Sequence, residues 1–165
     1  MITLSFPSAG RPIPPKVRTE KQKEIIVNGM IFQWQFDEHF VHVKLSAPTT
    51  GWIAIGFNTQ NELQGTNLVM GAIEHDFVNI EDRFILKPGL HKSILELGGS
   101  DALIHRGGVE QNGISTIWFS MPLSVNDKFH HDLLDGKVYW VLLAYSQEND
   151  FQHHSIMRTS IKIKL

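Results

Sequence analysis

Met30-Ile31-Phe32-Gln33-Trp34-Gln35-Phe36 decides the fold. Large apolar side chains at 30, 32, 34 and 36 alternate with Ile31, Gln33 and Gln35. Successive side chains of a strand point to opposite faces, so a period of two is the mark of a strand and excludes an amphipathic helix. The same period extends outward. Val41, Val43 and Leu45 alternate with His42 and Lys44, and Ile161, Ile163 and Leu165 alternate with Lys162 and Lys164. Such strands carry one face in a core and one in water. Three further runs, Gly51–Phe57, Leu68–Ile73 and Val138–Tyr145, are apolar on both faces. They suit central strands covered on both sides, or one wall of a ligand cavity. Breakers recur between the runs: Asn28-Gly29, Pro88-Gly89, Gly98-Gly99, Gly107-Gly108, Asn112-Gly113 and Asp135-Gly136. Asn-Gly and Asp-Gly supply the positive φ angles of tight hairpins, and the glycine pairs read as hairpin punctuation. The spacing predicts about nine or ten short strands, hence an all-β sandwich or barrel. Helix is scarce; Asp127 to Leu134 has room for one turn or two.

The chain has 165 residues, of which 42% are hydrophobic, with four Trp and ten Phe. A domain of this size buries roughly two-thirds of the surface its unfolded chain exposes, so a core forms without disulfides or a structural metal. The net charge of −2 is too small to draw the chain onto nucleic acid. Absence of cysteine removes thiolate metal sites, cysteine nucleophiles and covalently attached haem. No stretch approaches the ~18 apolar residues of a transmembrane helix. Met1–Ala9 lacks the basic start and long apolar core of a signal peptide. Pro7, Pro12, Pro14 and Pro15 mark residues 1–20 as an extended N-terminal arm, leaving 21–165 as a single domain without internal repeats.

The nine histidines are the leading candidates for ligating side chains. For His153-His154, inward parity carried back from Leu165, Ile163 and Ile161 reaches His153, leaving His154 beside Arg158; a bulge in 155–160 would reverse the two. His130-His131 reads as decoration of a surface turn or short helix. His75 lies beside Asp76 in a turn. His91 and His105 are isolated. Met70 shares parity with Leu68 and Ala72 and reads either as gap-filling core or as a soft thioether ligand; Met157 is the other thioether close to the histidine pair. His-Glu-x-x-His, Gly-x-Ser-x-Gly and the Walker loop are absent. Glu81 and Asp82 point to opposite faces of a strand and make no acid–base couple. No catalytic residue emerges, and the expectation is a protein that is not an enzyme.

Gly51-Trp52-Ile53-Ala54-Ile55-Gly56-Phe57-Asn58 resembles the signature strand of the DOMON family, and Asn61 to Gly71 resembles its following loop and strand. Ser120-Met121-Pro122-Leu123, Asp135 to Tyr145, and His153-His154 with Arg158 resemble its later segments, in the same order. The resemblance runs from about Ile31 to the end. It implies an immunoglobulin-like antiparallel β-sandwich that binds haem b or a sugar, or serves beside redox domains, in the periplasm or outside the cell. Haem-binding members, similar to the cytochrome of cellobiose dehydrogenase, hold iron with a Met in the loop after the Gly-Trp strand and a His near the C-terminus. Here the matching loop position carries Leu63, which has no lone pair, and Asn61-Glu62-Leu63 looks more like the haem-free DOMON domain of the copper monooxygenases related to dopamine β-hydroxylase. The expectation is a non-catalytic module with a haem b cavity lined by Trp52, Ile55, Phe57, Leu68 and Met70. His153 or His154 would bind the metal, with Met70 as the second ligand, and electrons would pass to a partner redox protein. The alternatives are a haem-free domain that holds a sugar, another small molecule or a protein, with Trp34, Trp118, Trp140 or Tyr145 stacking on a sugar, and an adhesion domain with a filled interior.

Overall fold

The computed structural model describes residues 21–165; the expected arm, 1–20, lies outside the described residues. The alternating and apolar runs become eleven strands: β1 (Lys23–Val27), β2 (Met30–Phe36), β3 (Phe40–Ala47), β4 (Ile53–Asn58), β5 (Asn67–Glu74), β6 (Phe77–Lys87), β7 (Leu90–Ser93), β8 (Ile104–Gln111), β9 (Ile114–Pro122), β10 (Val138–Tyr145) and β11 (Met157–Lys164). All pairings are antiparallel. They form a five-stranded sheet, β1-β2-β3-β9-β8, facing a six-stranded sheet, β11-β10-β4-β5-β6-β7. The count exceeds nine or ten because the short edge strand β7, Leu-His-Lys-Ser, carries no apolar alternation to betray it.

The hairpin signals hold where both residues of the turn take positive φ. Asn28 (49°) and Gly29 (81°) join β1 to β2, and Asn112 (53°) and Gly113 (74°) join β8 to β9. Such two-residue turns match the right-handed twist of the strands they connect. Gly107 and Gly108 are not hairpin punctuation: both lie inside β8, beside a register shift between Ile104 and Gly107.

The alternating faces meet between the sheets. Phe32, Phe57, Phe119 and Ile117 are fully enclosed there, with Phe32 stacked on Trp34 at 4.5 Å and edge-on to Phe57 at 6.5 Å. Each such side chain contributes about 1.5–3 kcal/mol relative to exposure. Ile55 and Phe57, expected to line a haem cavity, belong to this core.

His130 is not surface decoration. No helix forms over 127–134, nor elsewhere among the described residues. Instead the Asp127 carboxylate accepts from the backbone N–H groups of Phe129 (2.8 Å) and His130 (2.9 Å), closing a turn that sends His130 inward. The imidazole, 1% exposed, bridges Asp82 and Asp127 at 2.7 Å each. Asp82 also accepts from Asn67 Nδ2 (2.8 Å) and Ala102 N (3.0 Å). This network ties two long connections, 94–103 and 123–137, to β5 and β6. A buried carboxylate is tolerable only with such partners. His131 Nε2 donates to the Gly65 carbonyl at 2.8 Å.

Gly51, at the entry to β4, fixes how the C-terminal segment lies on the sheet. A Cβ there would stand 2.4 Å from Ser146 O and Gln147 C and 2.6 Å from Glu148 N, all backbone atoms. Trp52 N donates to Glu148 O and Ser146 N to Trp52 O, each at 2.9 Å. Gly51→Ala is therefore expected to lower stability by about 1–3 kcal/mol, seen as a lower urea midpoint with an unchanged slope; an unchanged midpoint would contradict this close approach.

Candidate functional site

The six-stranded sheet is apolar on its outer face as well. Strand alternation divides β4: Ile53, Ile55 and Phe57 face the inter-sheet core, while Ala54, and Trp52 before it, face outward. Ala54 pairs with Met70 of β5 and with Ala144 of β10, and Arg158 of β11 and Glu81 of β6 end the same row. Small residues in the middle of this row, with Trp52, Leu68, Met70, Ile85 and Leu142 around them, leave a hollow. The loop after β4 and the turn at 150–155 form its rim. The loop is pinned by Asn58, whose amide donates to the carbonyls of Glu62 and Gln64 at 3.0 Å, and it brings Leu63 to the cavity. The turn brings Gln152, His153 and His154.

The cavity holds about 130 Å³. Met70 lies in its floor, 2% exposed. His153 and His154 are exposed at the rim; His153 Nδ1 stands 3.4 Å from Asp150. Trp52 is buried, and its Nε1–H has no hydrogen-bond partner. A buried donor left unpaired costs about 1–3 kcal/mol. A polar hollow of about 550 Å³ shares Leu90, His91 and Gln152 with the cavity as wall, and Lys92 lines it. Between the two, Arg83 donates from Nε to His91 Nδ1 (2.9 Å), pairs with Glu81, and lies 5.7 Å from the Phe151 ring.

A family model described as the DOMON domain matches residues 28–146. The chain belongs to the DOMON family. Among solved structures, it is similar to the cytochrome b domain of pyranose dehydrogenase from Coprinopsis cinerea. The likeness has a TM-score of 0.51 and 9% identity over 81% of this chain and 75% of that one. At that identity it is a likeness of fold, and it places the all-β sandwich of this DOMON domain beside that of a cytochrome b domain. No curated protein matches the chain.

The sequence candidates fall on both sides of the sheet. Trp52, Leu68, Met70, His153 and His154 come together at the cavity, and Leu63 joins them. Phe57 and Ile55 do not: their parity turns them into the inter-sheet core, where Phe57 packs on Phe32. The expected lining mixed the two faces of this segment, taking Trp52 from one and Ile55 and Phe57 from the other. The alternation carried back from Leu165 also stops short of the histidines, because β11 begins at Met157 and 151–156 is a turn. His91 was missed. Its one signal, a histidine in a short polar edge strand, is too common to mark a site. Among the described residues, no group of three or more His, Asp or Glu side chains forms a metal site by itself.

Two histidines titrate in opposite senses. Burial holds the His91 pKa below 6.5, and the neighbouring Arg83 charge adds to that. Burial also pulls His130 down, but the hydrogen bond and charge of Asp82, then those of Asp127, outweigh it and leave its pKa above 6.5. His130 therefore adds stability that is complete below its unfolded value and lost as pH rises through its folded value. For His91 the unfolded chain takes up a proton below about 6.5 that the folded ring refuses, so stability falls on acidification. Between about pH 5 and 8, His91→Gln is expected to lose stability with rising pH more steeply than the parent, and His130→Gln to lose that decline. Urea midpoints across the range check this, and three parallel profiles would rule it out.

Proposed function

We propose that this DOMON domain holds haem b in the outer cavity of the six-stranded sheet and exchanges electrons with a partner redox protein outside the cytoplasm, without catalysing a reaction alone. The observation that carries the reading is one concavity with a buried thioether in its floor and two exposed imidazoles on its rim. A soft thioether and an imidazole are suitable axial ligands for haem iron. The donor set fits that chemistry: Met70 and His153 or His154 would hold the iron. Apolar walls from Trp52, Leu68, Ile85 and Leu142 suit the ring, and Arg158 at the edge suits its carboxylates. When bound, haem would supply one-electron transfer; the chain's own part is to exclude water from the ring and to hold it by the rim.

The cavity as it stands is below the ~300 Å³ of sites for drug-sized ligands. Uptake of the ring thus requires the 150–155 turn, which carries both histidines at the surface, to move outward. Leu63 and this small volume favour a second reading, a haem-free domain that takes a smaller amphiphile in the same cavity.

Titration with haemin separates the two. The haem reading expects a sharp Soret band and split reduced bands, lost in the His153→Ala/His154→Ala double variant. Met70→Leu, which conserves volume and should cost under ~1.5 kcal/mol of stability, is expected to convert the reduced spectrum to that of a different sixth ligand or none. A spectrum no different from free haemin would remove haem and leave the smaller amphiphile.

A further inference from the structure

Beyond the outer cavity the six-stranded sheet ends at β11, and the charge there is of one sign. Arg158, Ser160, Lys162 and Lys164 are exposed on the outer face, since Ile161 and Ile163 turn to the core. They stand opposite Ala144, Leu142, Trp140 and Val138 of β10. Lys137 is exposed at the start of β10. Neither β10 nor β11 contains an Asp or Glu. The rows that run inward from them, Lys162–Trp140–Asn58, Ser160–Leu142–Gly56–Leu68 and Arg158–Ala144–Ala54–Met70, meet no carboxylate before Glu81 of β6, which is already paired with Arg83.

These cations are also unspent. Among the described residues the lysines and arginines in ion pairs are Lys23, Arg83 and Arg106, so Lys137, Arg158, Lys162 and Lys164 have no carboxylate partner. The segregation occurs in a chain whose net charge is −2. Alternate residues of a strand lie ~7 Å apart, inside the ~8 Å screening length of physiological salt, so the fields of Lys162 and Lys164 add. Lysine on an edge strand also deters pairing with another chain. That role asks for a charge within the strand, not for two on one face with a third at the start of the neighbouring strand. Apolar surface lies beside the charges: Val138 is 50% exposed, Trp140 is half-buried, and exposed Leu134 borders one hollow with Lys137 and Val138.

The surroundings select the partner. A bilayer is a poor fit, because Trp140 lies too deep in the sheet to anchor in it and anionic lipids concentrate in the cytoplasmic leaflet. Nucleic acid is a poor fit for a chain without a basic overall balance. A folded protein with an acidic face fits both the cations and the apolar residues between them, as interfaces combine the two. Lys162 is four residues from Arg158 at the cavity rim, ~14 Å along the strand. A partner's footprint of about 800 Å² therefore spans both the lysines and the cavity mouth.

We propose that the outer face of β10 and β11, with Lys137, Lys162 and Lys164, is a docking surface for a protein partner with an acidic face, seated beside the mouth of the outer cavity. Its part in electron transfer rests on the haem reading, since a partner held there stands next to the cavity that would hold the ring. Steering of this kind raises association rates by about 10–10³ and fades with salt.

Binding of the full chain to fluorescently labelled poly-L-glutamate tests it, at about 0.01 M and about 1 M ionic strength, where the screening lengths are ~30 Å and ~3 Å. Binding is expected at the lower ionic strength and release at the higher. Lys162→Glu/Lys164→Glu should weaken the low-salt binding at least about tenfold. Lys44→Glu/Lys87→Glu, the same change of charge at exposed positions elsewhere, should bind as the parent does. Haemin should give the same spectrum with Lys162→Glu/Lys164→Glu as with the parent, so absence of a Soret band in both removes the haem reading and leaves the docking surface to the polymer result. No binding of poly-L-glutamate at low ionic strength overturns the proposal, as does an equal loss in the two lysine variants. Vesicles of phosphatidylcholine with phosphatidylserine and a single-stranded oligonucleotide are titrated alongside. Tighter binding to either, lost in Lys162→Glu/Lys164→Glu, overturns the acidic protein in favour of a membrane or a nucleic acid.

Discussion

The structure depends on covering both faces of one sheet. β4, β5 and β10 are apolar on each side, and a single partner sheet buries only one of them. The other face needs its own cover, and the loop after β4 with the 146–156 segment supplies it. Loop backbone laid over a sheet must find hydrogen bonds. Here it does: Asn58 satisfies the first segment, and the exchange between Trp52, Ser146 and Glu148 satisfies the second. Loop cover is less complete than sheet cover. The small residues Ala54 and Ala144 lie under it, and the outer cavity is what remains.

The second sheet solves the opposite problem. Its outer face is half wet, so its side chains are glutamines, histidines and lysine, and the residues needing explanation there are the aromatic and the strained ones. Trp118 rests where Gly107 has no side chain, and His105 takes a backbone conformation that Arg106 braces. One sheet thus hides an apolar hollow under loops, and the other displays a flat polar face with an indole on it. The two kinds of chemistry sit on opposite sides of a packed core.

β6 carries a polar network on each of its faces. Asp82 faces inward on β6 while Glu81 and Arg83 face outward, as alternation requires. Asp82 meets His130 and Asn67 inside; Arg83 meets His91 and Glu81 outside. A two-residue step along one strand therefore carries two charge networks, one closing the long connections and one bordering the cavity.

The sequence by itself determined the fold class, most of the strands and several residues of the outer cavity's lining. Alternation at 30–36, 41–45 and 161–165 follows from the geometry of any half-buried strand, and the doubly apolar runs follow from any strand covered twice. The parity of Met70 with Leu68 and Ala72, and of Glu81 against Asp82, was legible because it is local. Only the tertiary structure decided which face of β4 meets the cavity, so Phe57 went to the core and Trp52 to the site. Periodicity separates two faces but does not say which one the partner sheet covers. It likewise stops at strand ends, which is why the placement of His153 and His154 in a turn and the inward path of His130 were out of reach. Each of these is set by contacts between residues far apart in the chain.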